Sequence, residues 1–196
     1  HLSGDLVLLE EFWEQIIYDS YHRKIDDYYV FPGITYNELD ENENIKPIDL
    51  DTEQELFDFV DNKRSVIIRG DRKAGKTLLA KRLFRHFWDA GKKPLLIETS
   101  EINKKKIEKT LDYIFPEEYT CDNYSYERYK QLDKSQKVAI IDEANLILPQ
   151  TLNALVEFLE RHVEQVIILS EEKIKLNVRK QVVDALAYEE TTTLQI

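Results

Sequence analysis

Apolar residues recur at spacings of three and four over residues 5–22, where Leu6, Leu9, Phe12, Trp13, Ile16, Ile17 and Tyr21 share one stripe. That spacing predicts an amphipathic helix, its stripe making core contacts or a join to something upstream. Residues 28–33 (YYVFPG) read as a short extended run closed by a turn, and residues 37–49 as a polar, acidic, exposed loop. Residues 52–62 (TEQELFDFVDN) look helical, with Thr52 and Glu55 spaced as a capping box. From residue 65 the pattern changes. Short apolar, β-branched runs at 65–69, 94–98, 138–141 and 166–169 alternate with helical stretches at 76–90, 101–114, 149–163 and 176–187. Residues 116–134 are rich in tyrosine and read as partly helical; 192–196 read as a last strand. Strands alternating with helices predict a parallel sheet covered on both faces.

The chain has 196 residues, enough for one α/β domain with a short leader. No apolar run approaches the roughly 20 residues of a membrane-spanning helix, and the first residues lack the basic start of a signal peptide. One cysteine, Cys121, excludes an internal disulfide and a cysteine-built metal site. A cytoplasmic protein fits this usage. The chain starts at His1 and has no methionine, which reads as an excised piece of a larger protein. The net charge of −11 is uneven: residues 1–62 hold 17 acidic against 3 basic residues, the remainder 21 against 24. An acidic leader repels nucleic acid, and the nearly neutral remainder shows no basic stripe, so nucleic acid is not indicated as a partner.

Gly70-Asp71-Arg72-Lys73-Ala74-Gly75-Lys76-Thr77 fits G-x-x-x-x-G-K-[ST], followed by Leu78. In this pattern glycines let the backbone turn its N–H groups toward phosphate oxygens. Lys76 is placed to reach the β- and γ-phosphates and the Thr77 hydroxyl to ligate Mg²⁺, while the next helix directs its positive end at the phosphates. Chance alone produces the pattern in roughly one chain of this length in a hundred. Here a strand precedes it and a helix follows, as the chemistry requires. Arg72 and Lys73 occupy the variable positions, where facing solvent is the commoner fate and phosphate contact the alternative.

A second motif closes the apolar run 138–141: Asp142-Glu143. A strand beside the phosphate loop would bring Asp142 to the Mg²⁺ shell, and Glu143 to a water facing the γ-phosphate. The bland reading is two acidic residues capping a strand end. Ser170, ending the run VIILS, is a candidate γ-phosphate sensor or a plain turn serine; Asn145 is a candidate for orienting water. Arg161 and Arg179 are candidates by position for a cation on the γ-phosphate, with a surface role as the alternative. A guanine-reading Asn-Lys-x-Asp is missing from the right place, which favours ATP. The adenine pocket is expected around residues 28–31 and 48–50.

Other features carry less. His1, His22, His86 and His162 have no metal-ligand spacing. Lys104, Lys105, Lys106 and Lys109 read as a solvated helix face. Tyr113, Tyr119, Tyr124, Tyr126 and Tyr129 have acidic neighbours, which favours packing over base stacking.

Taken together, Tyr29, Phe31 and Pro32, the Gly70-Asp71 opening, the segments 91–96 and 126–131 and the run 138–143 resemble the STAND class of signal-transducing P-loop ATPases. More narrowly, they look like the bacterial subgroup in which the ATPase follows a calcineurin-like metallophosphoesterase domain. The resemblance runs from about residue 27 to the end. It implies an ASCE-type, three-layer α/β fold with strand order 5-1-4-3-2. Residues 1–26 would then be a helical leader or linker from a missing upstream domain, and residues 27–196 an NTPase core that stops before the family's winged-helix and sensor regions. The resemblance also implies ATP-driven switching and self-association on a trigger; several bacterial members serve in defence against phage. By position it assigns Lys76 and Thr77 to phosphate and Mg²⁺, Asp142 to Mg²⁺ and Glu143 to water. This chain has Asp-Glu where the subgroup often has Asp-Asp, implying better hydrolysis, and it carries no phosphoesterase metal motif.

Two other functions share these motifs. One is an AAA+-type motor or loader. The other is a module that holds nucleotide and gates an interaction without turnover.

Overall fold

The computed structural model describes residues 6–39, 45–99, 102, 107–120, 125–171 and 191–195. The helix expected over 176–187, the lysines 104–106 and Cys121, Tyr124, Arg179 and His1 lie outside them.

The apolar runs become strands. β3 (Ser65–Arg69), β4 (Lys93–Ile97), β5 (Lys137–Ile141) and β6 (Gln165–Ser170) are almost wholly buried. Their Val and Ile content suits strands packed on both faces. All four are parallel, and β7 (Thr191–Gln195) joins parallel to β3. Across these five, in chain order, the arrangement is the expected 5-1-4-3-2.

The helices fill the crossovers. α3 (Lys76–Asp89) packs on β4, β5 and β6 through Leu79, Ala80, Leu83, Phe84 and Phe87, which recur at helical spacing. α6 (Pro149–His162) starts with Pro at its first position, where the missing N–H costs nothing, and packs on β6. The β3→β4 and β5→β6 connections cross the sheet in opposite directions. Right-handed crossovers therefore put α3 and α6 on opposite faces. No helix among the described residues is long and apolar enough to cross a membrane.

The leader is part of this packing. α1 (Glu10–Ile17) packs Phe12 edge-to-face on Phe84, ring centroids 5.3 Å apart, and Trp13 at a tilt on Trp88 at 6.5 Å. Leu6, Leu8 and Ile16 belong to the core. α2 (Glu53–Asp61) carries the expected capping box: Glu55 N–H donates to Thr52 Oγ1 at 3.2 Å, and Thr52 N–H to Glu55 Oε2 at 2.9 Å.

Two expectations change. Residues 37–39 and 45–49 are strand rather than loop. They belong to a hairpin of β1 (Ile34–Leu39) and β2 (Ile45–Leu50) that extends the sheet beyond β7. Buried Ile34 sits opposite buried Leu50 in register, so the hairpin closes the core at its base. The charged residues of 38–46 hide that alternation in the sequence. Of the helix expected over 101–114, the described stretch from residue 107 is a 3₁₀ turn at Ile107–Lys109 that leads into α4 (Thr110–Glu118), and α5 (Ser125–Gln131) follows. α4 runs through Pro116, which sits in its last turn and removes a single helical hydrogen bond.

The residues closing α4 cap the free edge of β4. Glu118 Oε1 accepts from Leu96 N–H at 2.7 Å, and Tyr119 Oη donates to the Pro94 carbonyl at 2.7 Å. Tyr119 stacks on Phe115 at 4.8 Å, and Tyr126 and Tyr129 pack on the same ring. These three tyrosines are packing residues, as their acidic neighbours imply. Glu118→Leu strands a buried N–H and is expected to cost about 1–3 kcal/mol; Tyr119→Phe should cost about 1 kcal/mol. Urea unfolding midpoints check both.

Candidate functional site

In a parallel sheet the loops leaving the strand C-termini share one edge, and a ligand crevice forms there. The turns after β3, β5 and β6 meet at that edge. The loop after β3 is knit from backbone: Gly70 N–H donates to the Ser170 carbonyl at 3.1 Å and Ala74 N–H to the Asp71 carbonyl at 3.1 Å. Lys73 has φ 66° and Gly75 φ 84°. Gly75 is the residue from which α3 starts, and only glycine takes such a φ without strain. Nothing lies within 4 Å of a Cβ built there, so the requirement is conformational rather than steric.

Lys76 is buried at 7% exposure although charged. Its Nζ donates to the Gly70 carbonyl at 3.0 Å and the Asp71 carbonyl at 2.7 Å. The ammonium therefore sits inside the loop, among the backbone groups that face the crevice.

β5 ends beside this loop. Asp142 N–H continues the sheet by donating to the Ile97 carbonyl at 3.1 Å, and the Asp142 side chain is buried. Asp142 Oδ1 accepts from Glu143 N–H at 2.9 Å. Glu143 takes a left-handed conformation, φ 51°, and is exposed. A non-glycine residue held there is strained by of order 1 kcal/mol, a condition that concentrates at functional sites.

One cavity of about 410 Å³ is lined by Arg72, Lys73, Gly75, Lys76, Thr77, Leu78, Asp142, Glu143 and Glu171. It brings together residues separated by 65 positions: the end of the phosphate-loop motif and both acids of the second motif. Gly70, Asp71 and Ala74 do not line it. Arg72 and Lys73 are exposed and line it together. The Thr77 hydroxyl and the Asp142 carboxylate are hard oxygen donors, the type Mg²⁺ selects, and Mg²⁺ commonly takes one or two protein ligands with phosphates and waters completing its shell. No set of three His, Cys, Asp or Glu able to hold a metal occurs among the described residues.

Ser170 does not line the cavity. It is fully buried at the end of β6, paired in register with Arg69, and the lining residue is its neighbour Glu171. Asn145 also differs from the expectation: its Oδ1 accepts from Glu171 N–H at 3.0 Å, tying the turn after β5 to the turn after β6. Arg161 lies in the last turn of α6, which leads into the start of β6 and so sits at the opposite edge of the sheet; its Nε donates to the Glu157 carbonyl. Tyr29 and Phe31 line a separate cavity of about 460 Å³ with Arg82, Arg85 and His86, sharing no residue with the phosphate-loop cavity. Ile48 lies on the hairpin and lines neither. None of these three residues lines the phosphate-loop cavity.

Neither a family model nor a curated protein matches the chain. Among solved structures it is similar to the replication initiator DnaA bound to AMPPCP and single-stranded DNA, at 14% identity and TM-score 0.44, covering 73% of this chain and 44% of that one. It is also similar to domain III of the Thermotoga maritima replication initiation protein DnaA, at 14% identity and TM-score 0.43, covering 72% and 58%. A third is C. elegans PCH-2, at 17% identity and TM-score 0.40, covering 100% and 50%. The chain thus spans less than two thirds of the length of each. Overlap this loose bears no weight in assigning a function to this chain.

Proposed function

We propose that this chain is a Mg²⁺-dependent ATP-binding module that hydrolyses ATP slowly and acts as the switch of a larger signalling protein. One observation carries the reading: Lys76 and Thr77 share a cavity with Asp142 and Glu143. Lys76 and the backbone at the start of α3 bind the phosphates, and Arg72 and Lys73 add positive charge at the rim. Thr77 and Asp142 hold the cation. A Mg²⁺ ion held there would supply positive charge to stabilise the transferring phosphoryl group. Glu143 accepts a proton from an attacking water, a role for which its exposed position in the cavity suits it. ATP is preferred over GTP because no guanine-reading motif is present.

The STAND-like role, with self-association and a place in defence against phage, rests on the resemblance of the motifs. A AAA+-type motor uses the same residues, and a non-hydrolysing module would use Lys76, Thr77 and Asp142 without Glu143. Phosphate release under single turnover, together with sedimentation in ATP and in ADP, separates the three. The switch reading expects slow release, a larger species in ATP than in ADP, and no stimulation by single-stranded DNA. Stimulation by DNA would replace it with the motor; absence of release would replace it with the holding module.

A further inference from the structure

Lys81 follows Thr77 by four residues, so both occupy one face of α3, and side chains there lean back toward the helix N-terminus. That lean directs Lys81 toward the cation-binding end of the helix. Its Nζ donates to the Tyr18 carbonyl, in the leader, at 3.4 Å. It lines a cavity of about 490 Å³ with Tyr18, Asp19, Leu96 and Glu98. Glu98 follows β4 and Asp142 follows β5, and these strands pair with Ile97 opposite Ile141. The two carboxylates thus stand on adjacent strand ends. Burial lowers the Lys81 pKa, while the charges of Glu98, Asp19 and Asp142 act to raise it.

We infer that Lys81 is a positioning residue for the cation site: tethered to the leader, its ammonium offsets part of the charge of Asp142 and Glu98 and thereby sets how strongly that site draws Mg²⁺. Seating of the leader on α3 is then coupled to cation affinity. The inference rests on the Mg²⁺–ATP reading given above.

The test is a Mg²⁺ titration of ATP binding, followed with a fluorescent ATP analogue, in wild type, Lys81→Met and Lys81→Arg. Met keeps the packed stem and removes the charge. Lys81→Met is expected to reach half-saturation at about three- to tenfold lower Mg²⁺, and Lys81→Arg to stay near wild type. A residue that only packs would change the melting temperature and leave the Mg²⁺ midpoint in place. An unchanged or raised midpoint in Lys81→Met, with Mg²⁺-dependent binding in wild type, overturns the inference and leaves the ATP reading standing. No ATP binding by wild type overturns both. If Lys81→Met does not fold, Lys81→Gln carries the same expectation and the same refutation.

Discussion

Glu143→Gln is expected to lose about 10²–10⁴-fold in phosphate release while ATP affinity stays within about threefold of wild type. The substitution keeps the size and reach of the side chain and removes only its capacity to take a proton. It also leaves the turn in place, because the bonds that hold the turn do not use the Glu143 side chain: Glu143 N–H donates to Asp142 Oδ1, and Glu171 N–H donates to Asn145 Oδ1. Because the Glu143 side chain is exposed, the fold does not depend on its charge. Single-turnover phosphate release, paired with equilibrium binding, separates the two effects. Equal loss of binding and release would give Glu143 a role in holding nucleotide; unchanged release would remove it from the chemistry.

Lys76→Ala should weaken ATP binding about 100-fold or more. A buried charge-assisted contact is worth about 1.5–3 kcal/mol, and Lys76 would meet more than one phosphate. The side chain has a second role that adds to the loss. By bonding the carbonyls of Gly70 and Asp71 it cross-links the start of the loop to the first turn of α3. Without it those carbonyls lose their partner and the loop loses its shape. A thermal melt of the variant distinguishes loosening of the loop from loss of the fold: the core strands and α3's apolar stripe do not involve Lys76, so cooperative unfolding is expected to persist. Affinity within a few-fold of wild type would mean that the loop does not bind phosphate.

Much of this site is legible in the sequence because its signals are local. A β-branched run, two glycines at fixed spacing, a Lys-Thr pair and an apolar helical stripe specify β3, the loop and α3 within 25 residues. The capping box of α2 is equally local, four residues long. The order of the five parallel strands followed from the resemblance and matches the structure. What was not legible depends on contacts between distant segments. The hairpin of β1 and β2 is stabilised by register pairing with β7, more than 140 residues away, and its charged tip masks the Ile34–Leu50 pair. Ser170, a candidate sensor or a plain turn serine by its place after an apolar run, is the last residue of β6, which runs one residue past Leu169; it is buried there and the cavity is lined by Glu171. Asn145 reads as a free polar group until its partner, 26 residues on, is brought alongside by β6. Likewise, the sequence shows only an excess of acids over residues 1–62, whereas in the structure Asp26 and Glu53 bind Arg82 of α3 and Asp26 also binds Arg85. No pattern in either segment alone announces that pairing.

The most direct measurement is a calorimetric titration of the wild-type chain with ATP, in Mg²⁺ and in excess chelator. Saturable one-to-one binding in Mg²⁺ that weakens sharply in chelator is the predicted result. No saturable binding in Mg²⁺ would contradict the assignment of this cavity to a nucleotide.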